Sequence, residues 1–156
     1  MSANAPQTFY PIEGTSLVPV AAGQTLNVGD FVTLNTDGQA LRIFPATAGE
    51  AVNFATTPLY GVCAGKTPID PIHGSKVPVS TLHDRTVWIR WADTSGNFVA
   101  PTAANVGDHV LIRRASGTNN VLVASAHGTP STAHGIVVDY SGERVRVRLR
   151  ENVFAL

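Results

Sequence analysis

Apolar and polar residues alternate in short runs along this chain, and turn residues separate the runs. The run TVWIRWA places Val87, Ile89 and Trp91 on one face and Trp88 and Arg90 on the other. The run RVRVRLR alternates valine and leucine with arginine in the same way. A period of two residues predicts β-strands, and no window shows the i, i+3, i+4 apolar spacing of an amphipathic helix. The pattern therefore predicts an all-β fold, a β-sandwich or a barrel-like domain.

Shorter runs support the same prediction. They are rich in β-branched residues and are bounded by turn residues: DFVTL, QALRIF, HVLIRR, NVLVAS and GIVVDY. Two dipeptides, Asp37–Gly38 and Ser141–Gly142, have the composition of hairpin turns. The 14 glycines and 10 prolines interrupt the chain too often for long helices.

One short phrase occurs twice, as NVGDFVTL from Asn27 and as NVGDHVLI from Asn105. Each copy predicts a tight Gly-Asp turn with a glycine at positive φ, followed by a strand. Each half then continues to a Gly-Val-like strand, YGVCAG or HGIVVD, and closes on an alternating strand, RTVWIRWA or ERVRVRLR. We predict a duplicated β-unit in a β domain of residues 21–156, with units of about 21–100 and 101–156. The segment KTPIDPIHGSKVPVST reads as an insertion in the first unit.

Residues 1–20 differ from the rest of the chain. Prolines are spaced along them, and they contain three isolated apolar anchors: Phe9, Tyr10 and Ile12. Such a segment favours an extended N-terminal arm over packed regular structure. Two interpretations follow, a loose terminus or an arm that docks its anchors on a neighbouring subunit.

Composition limits the classes of function. A chain of 156 residues fits one domain, or two very small ones that share a core. Charged residues make up 14% of it, against about 25% in a typical soluble protein. This predicts a surface rich in small polar residues or one covered by partners. The formal net charge of zero argues against binding nucleic acid directly. No signal peptide and no apolar run of membrane-spanning length is evident, so we expect a cytosol-like compartment and no membrane partner.

Candidate catalytic chemistry is sparse. Cys63 stands in the apolar run LYGVCAG, which predicts a buried, inert thiol. The histidines lack metal-ligand spacing, and there is no nucleophile elbow, phosphate loop or paired glutamates. We therefore predict no catalytic residues, no metal site and no cofactor, and expect that the protein is not an enzyme.

A row of arginines is the main charge feature, at Arg144, Arg146, Arg148 and Arg150. On a strand, alternate residues share one face and stand about 6.5–7 Å apart. Three interpretations remain open: a solvated strand face, a site for an acidic protein surface, and a nucleic-acid site. Trp88 and Arg90 are further interface candidates, because aromatic and arginine residues dominate binding hot spots. Trp91 shares its face with Val87 and Ile89, which predicts a core position.

The phrasing of the chain from about residue 15 to 150 resembles the small decoration (cement) proteins on the outside of tailed-bacteriophage heads. The resemblance rests on PIEGTSLVPVAAGQTLNVGDFVTLNTDGQALRI, YGVCAG and HGIVVDYSGERVRVRLRE. It implies a β-rich virion protein, made in the host cytoplasm, that bridges major capsid protein subunits on the outer capsid surface. It also implies a homo-oligomer, a trimer in preference to a dimer. Under this reading the predicted contact residues are Phe9, Tyr10, Ile12, Trp88, Arg90, Arg144, Arg146, Arg148 and Arg150.

Two other classes of function remain open on the sequence. A carbohydrate- or ligand-binding β-module, such as a tail or fibre component, would also be β-rich with an exposed tryptophan. The stretch RWADTSGN offers an aromatic residue flanked by polar ones, as a sugar site requires. An enzyme with unrecognised chemistry is the third class.

Overall fold

The all-β prediction is confirmed. The computed structural model describes residues 15–65 and 76–154. These residues form ten strands: β1 (Thr15–Pro19), β2 (Phe31–Leu34), β3 (Ala40–Arg42), β4 (Gly61–Cys63), β5 (Lys76–Ser80), β6 (Thr86–Ala92), β7 (His109–Arg114), β8 (Leu122–Ala126), β9 (Gly135–Ser141) and β10 (Arg144–Leu149). Three single-turn 3-10 helices lie at Ala103–Asn105, Pro130–Thr132 and Glu151–Val153. The described residues contain no α-helix.

The strands form two sheets of five. The first has the order β1-β5-β4-β2-β3, and its two outer strands approach each other through a parallel bridge between Val20 and Ala40. The second is a closed barrel of order β10-β6-β8-β7-β9. It closes where β6 and β8 pair in parallel, with Trp91 opposite Ala124. All other strand pairs of the two sheets are antiparallel.

The two sheets match strand for strand, β1–β5 with β6–β10. Leu17 of β1 lies opposite Pro78 of β5, as Trp88 of β6 lies opposite Arg146 of β10. The parallel contact that closes the barrel at Ala124 has its counterpart in the bridge at Ala40. This shared register shows that one β-unit is used twice.

The unit boundary differs from the one predicted near residue 100. β6 belongs to the second barrel, so the division falls between Ser80 and Thr86. The two alternating strands read as equivalent closing strands, β6 and β10, are in fact neighbours in one barrel. The predicted insertion contains β5, the true counterpart of β10. The sequence of β5 does not indicate a strand because it contains Pro78, and proline has no backbone N–H to donate to a neighbouring strand.

The repeated phrase forms the same turn in both units, as predicted. Gly29 and Gly107 adopt φ values of 94° and 95°, a region open to glycine because it lacks a Cβ. Gly29 donates its N–H to Cys63 O of β4, and Gly107 donates its N–H to Val137 O of β9, both at 2.8 Å. In the first unit the Asp30 carboxylate accepts the N–H of Asn27 at 2.9 Å. The turn thus fixes where β2 and β7 begin.

The prediction of an extended arm over residues 1–20 is wrong for the part that the structure describes, which begins at Thr15. Thr15–Pro19 form β1 and pair along their whole length with β5. Its three anchors, Phe9, Tyr10 and Ile12, lie outside the described residues, and their docking remains a prediction.

The two units share one hydrophobic core. Buried residues of the first unit, Phe31, Ile43, Val52, Phe54, Leu59 and Val62, belong to the same cluster as the interior of the second barrel. A smaller buried cluster, which includes Val18, Leu26 and Val77, lies within the first unit. Trp91 is 4% exposed and lies in the shared cluster, which confirms its predicted core position.

The connector between β3 and β4 ties the units together by backbone bonds. Val52 donates its N–H to Ile112 O at 2.9 Å, and Gly49 donates to Arg114 O at 3.0 Å. Both acceptors lie on β7, beyond the two residues that pair with β9, so the connector pairs with the remaining length of this strand. The units therefore form a single packed body.

Candidate partner-binding face

Five of the nine predicted contact residues lie on adjacent strands β6 and β10, in alternate positions. Arg144 lies opposite Arg90, Arg146 opposite Trp88, and Arg148 opposite Thr86. Directly opposed residues of an antiparallel pair have Cβ atoms about 4.5–5.5 Å apart. We call this group, Trp88, Arg90, Arg144, Arg146 and Arg148, the basic face.

Alternation along β10 explains why the arginines point outward. Val145, Val147 and Leu149 are at most 2% exposed and fill the barrel, which leaves the arginines between them on the outer surface. A register shift between Arg146 and Val147 marks a β-bulge against β9. Because a bulge increases local twist, it turns the two ends of the face relative to each other.

Intramolecular pairs hold two of these arginines only loosely. Arg146 lies 3.4 Å from the Asp84 carboxylate and donates to Thr86 Oγ1 at 3.3 Å. Arg90 lies 3.3 Å from Glu143, whose side chain is 63% exposed. Exposed ion pairs of this kind contribute about 0–1 kcal/mol, so a partner can exchange them at low cost. The side chain of Arg148 is exposed and makes no hydrogen bond or ion pair with the described residues.

Arg150 lies apart from the basic face. It follows the last residue of β10, and its Nη1 donates to the carbonyl oxygens of Pro130 and Ser131 at 2.8 and 3.1 Å. A third contact joins it to Ala133 O at 3.3 Å. These bonds clamp the 3-10 turn before β9, a role that the sequence row of four arginines did not indicate.

A cleft between the two units adjoins the basic face, and sequence reasoning did not find it. It has a volume of about 390 Å³. Its walls come from the first repeated turn, β3, β6, β10 and two loops of the second unit. The polar, charged and aromatic residues that line it include Asn27, Asp30, Arg42, Arg90, Phe98 and Arg144.

Arg42 connects the two units at the cleft through contacts to both of them. Its Nη1 and Nη2 donate to Asn120 Oδ1 and to Asn120 O at 2.9 and 2.7 Å, and its Nε lies 3.4 Å from Asp30. Its guanidinium carbon stands 4.0 Å from the centroid of the Phe44 ring. Burial raises the pKa of Asp30, although the Asn27 N–H and Arg42 oppose the rise. No local signal in the sequence links Arg42 to Asn120.

Cys63 is fully buried, as predicted. Burial raises the pKa of its thiol to about 11, which keeps the thiolate population very small near neutral pH. The described residues contain no group of three or more His, Cys, Asp or Glu side chains placed to hold a metal ion. In the same part of the chain, no helix has the length and apolar character needed to cross a membrane.

The stretch RWADTSGN does not form the sugar site that its composition indicated. Trp91 is buried in the core and cannot stack on a ligand. The Asp93 carboxylate accepts the N–H groups of Ser95 and Asn97 at 2.9 and 3.0 Å and so stabilises a turn. Trp91 and Asp93 are therefore engaged within the fold, and the carbohydrate-binding alternative stays an untested prediction.

His134 makes stability depend on pH. Its Nδ1 accepts the N–H of Ile112 at 2.9 Å, and its ring lies edge-on to Phe54, with centroids 4.7 Å apart. Burial lowers its pKa to about 4, and the charges of His127 and Arg113 act in the same direction. The unfolded chain has the ordinary pKa of about 6.5 and binds the proton more readily.

We therefore expect this stabilising contribution in full above pH 6.5 and a progressive loss down to about pH 4, of at most about 3 kcal/mol. Urea unfolding at pH 7.5 and pH 4.5 measures it. His134→Gln keeps an acceptor but does not titrate, so it should reduce the difference between the two pH values, whereas exposed His83→Gln should preserve it. Equal pH dependence in wild type and His134→Gln would contradict the assignment.

No model of a known protein family matches the sequence, and no curated protein matches it at a significant level.

Proposed function

We propose that this protein is a structural virion component that binds the outside of a tailed-bacteriophage capsid and stabilises the shell by bridging major capsid protein subunits. The observation that supports this most is the basic face. It places one large aromatic residue and four arginines on two adjacent, hydrogen-bonded strands of a closed barrel. Aromatic and arginine side chains on a rigid scaffold are typical of binding hot spots.

The chemistry of the face selects an acidic partner. Arginine forms bidentate bonds with carboxylates, and its charge at neutral pH does not depend on its surroundings. The rest of the molecule has little charge, since charged residues are 14% of the chain. When other subunits cover much of a protein's surface, the covered surface needs few charged side chains. We propose a homo-oligomer, a trimer in preference to a dimer, held in part by the N-terminal anchors.

Stabilisation would operate by mass action. A ligand that binds only the assembled shell lowers its free energy by RT ln(1 + [L]/Kd) at each site. On a symmetric shell this contribution is repeated at every equivalent site, so modest interfaces produce a large total. Neither a catalytic residue nor a cofactor enters this proposal.

The test is binding to purified phage heads that lack the protein, measured by co-sedimentation. We expect Trp88→Ala and Arg148→Glu each to weaken binding at least about tenfold, because hot-spot truncations cost about 2 kcal/mol or more. The duplication supplies matched controls. Leu17→Ala changes the counterpart of Trp88. Because the counterpart of Arg148 is the uncharged Ser80, the control for the charge reversal is Lys76→Glu, at the counterpart of Arg144; Leu17 and Lys76 are both exposed on the first sheet. These controls should bind like wild type.

Two results would contradict the proposal. If the wild-type protein does not sediment with the heads, it does not bind the capsid. Equal weakening by Lys76→Glu and Arg148→Glu would show that net charge, not the basic face, governs binding.

A further inference from the structure

We propose that one edge of β6, the side of Thr86–Arg90 that faces away from β10, is a docking site for an extended acidic segment of another protein, which pairs with β6 as an added strand. We call this side of β6 the open edge. The inference rests on the backbone pairing of β6 and does not depend on the capsid proposal. The sequence predicts β6 as a strand, but only the fold shows which edge of it lacks a neighbour.

β6 is paired fully on one edge and only at its end on the other. β10 pairs with it from Thr86 to Arg90. On the opposite edge β8 pairs with it only at Trp91 and Ala92. No other strand of the described residues pairs with this edge. The barrel is therefore closed at one end of β6, and the preceding part of the strand has no neighbour on that side.

The alternation of backbone groups shows which of them face the open edge. Trp91 donates its N–H toward the β10 side, to Glu143 O at 3.1 Å. Successive residues of a paired strand direct their backbone groups to opposite edges, so those of Trp88 and Arg90 face the open edge. The N–H and C=O of Trp88 and the N–H of Arg90 have no hydrogen-bond partner among the described residues. Unpaired groups of this kind form the main-chain hydrogen bonds of strand addition.

The equivalent edge of the first unit lacks one of these donors. Pro19 of β1 lies opposite Lys76, as Arg90 of β6 lies opposite Arg144. Proline has no backbone N–H, and proline on a free edge is one of the ways in which proteins prevent the addition of a strand. β6 has no proline. The duplicated unit therefore offers a complete acceptor edge in its second copy and a blocked one in its first.

The charge beside the open edge favours an acidic partner. Residues of an added strand that point outward would lie beside Trp88 and Arg90, with Cβ atoms about 4.5–5.5 Å apart. They would therefore adjoin the basic face, which has four arginines. The carboxylates next to this face are those of Asp84, Asp139 and Glu143. Its net charge is positive, so acidic side chains fit the outward positions of the added strand.

The other face of an added strand would meet apolar side chains. Ile89 and Arg90 line the cleft of about 390 Å³ between the two units, and Phe31, Ile43 and Leu122 are among its other walls. Successive side chains of a strand point to opposite faces. Residues between the acidic ones would therefore point toward the cleft, where apolar side chains fit. The occupant that we infer is an extended segment in which acidic and apolar residues alternate.

The experiment titrates the full chain with the peptide acetyl-Glu-Val-Glu-Val-Glu-amide at constant ionic strength, followed by ¹H–¹⁵N NMR. We expect saturable shifts of the backbone amide signals of Trp88 and Arg90. Hydrogen exchange at these two amides should also slow, because added-strand pairing gives the Trp88 and Arg90 N–H groups acceptors. The peptide acetyl-Lys-Val-Lys-Val-Lys-amide has the same alternation and the opposite charge, and it should bind at least about tenfold more weakly.

N-methylated peptides separate strand pairing from charge attraction. The glutamates of the bound peptide share the outward face with Trp88, so their N–H groups point to β6 and those of the valines point away. Methylation of the three glutamate nitrogens should weaken binding about tenfold or more, because it removes the hydrogen bonds to β6. Methylation of the two valine nitrogens is the matched control and should leave binding unchanged.

Two variants test the same pairing from the side of the protein. Arg90→Pro and Arg90→Ala both remove the guanidinium, but only the proline removes the backbone N–H. Arg90→Pro should therefore bind the glutamate peptide about tenfold more weakly than Arg90→Ala. The methylated peptides use the wild-type chain, which covers the case in which Arg90→Pro misfolds.

Three results would overturn the proposal. The first is the absence of a saturable shift at Trp88 and Arg90 with the glutamate peptide. The second is equal binding of the two methylated peptides, which would mean that side chains alone hold the peptide. The third is a shift of the same two signals with protein concentration in the absence of peptide, which would show that a second copy of this chain occupies the open edge.

Discussion

Replacing Gly61 or Gly135 by alanine is expected to destabilise the protein by about 2–3 kcal/mol in each case. The two glycines occupy the same position in the two units, at the start of β4 and of β9. A Cβ at Gly135 would lie 2.6 Å from Arg148 O and 2.7 Å from Val147 Cγ1. A Cβ at Gly61 would collide with Ser80 O and would lie 2.7 Å from Val79 Cγ1.

Backbone must therefore move in both cases, because the obstructing oxygen belongs to the neighbouring strand. The expected fall in Tm is about 5–10 °C for a chain of this size, measurable by calorimetry. Gly128→Ala is the matched control, since a Cβ there meets nothing within 4 Å and the residue does not need a positive φ. If Gly128→Ala lowered Tm as much as Gly135→Ala, close strand contact would not be the cause.

Trp91→Ala should cost about 3–5 kcal/mol, the usual range for removing a large buried aromatic side chain. Trp91 is 4% exposed and packs in the cluster that both units share, so the cavity would weaken both at once. Trp88→Ala, three positions earlier on the same strand, removes a half-buried residue of the outer surface. Its expected cost is about 1 kcal/mol or less.

Urea unfolding of the two variants tests this contrast. The pair is well matched because the two substitutions remove the same side chain from opposite faces of one strand. A similar loss of stability in both would mean that Trp88 supports the fold. Its effect on capsid binding could then no longer be assigned to direct contact.

Local chemistry made much of the fold predictable. The alternation of apolar and polar residues predicted β6 and β10. The turn at Asp37–Gly38 joins β2 to β3 as expected, with Gly38 at a φ of 75°. The repeated turn was predictable because glycine and aspartate act on their own neighbours. β5 was missed because its residues have a weaker period and include a proline.

Long-range pairing was not predictable in this way. Two strongly alternating strands resemble each other whether they are equivalent by duplication or adjacent in space, so β6 and β10 were misaligned. The cleft depends on Arg42 reaching Asn120 and on Arg90 stacking over Phe98, contacts that no local spacing encodes. The basic face was predictable from alternation, but the distinct positions of Arg90 and Arg150 required the fold.

The register shared by the two units makes the chain resemble a dimer whose halves have been joined end to end. In a true dimer each half would carry the same surface, and any binding site would occur twice. Joining the halves allows each to change alone, and here Lys76, Pro78 and Ser80 stand where the other half has Arg144, Arg146 and Arg148. The two halves therefore present different outer surfaces, and a site formed by the arginines of β6 and β10 would occur once in the chain and not twice.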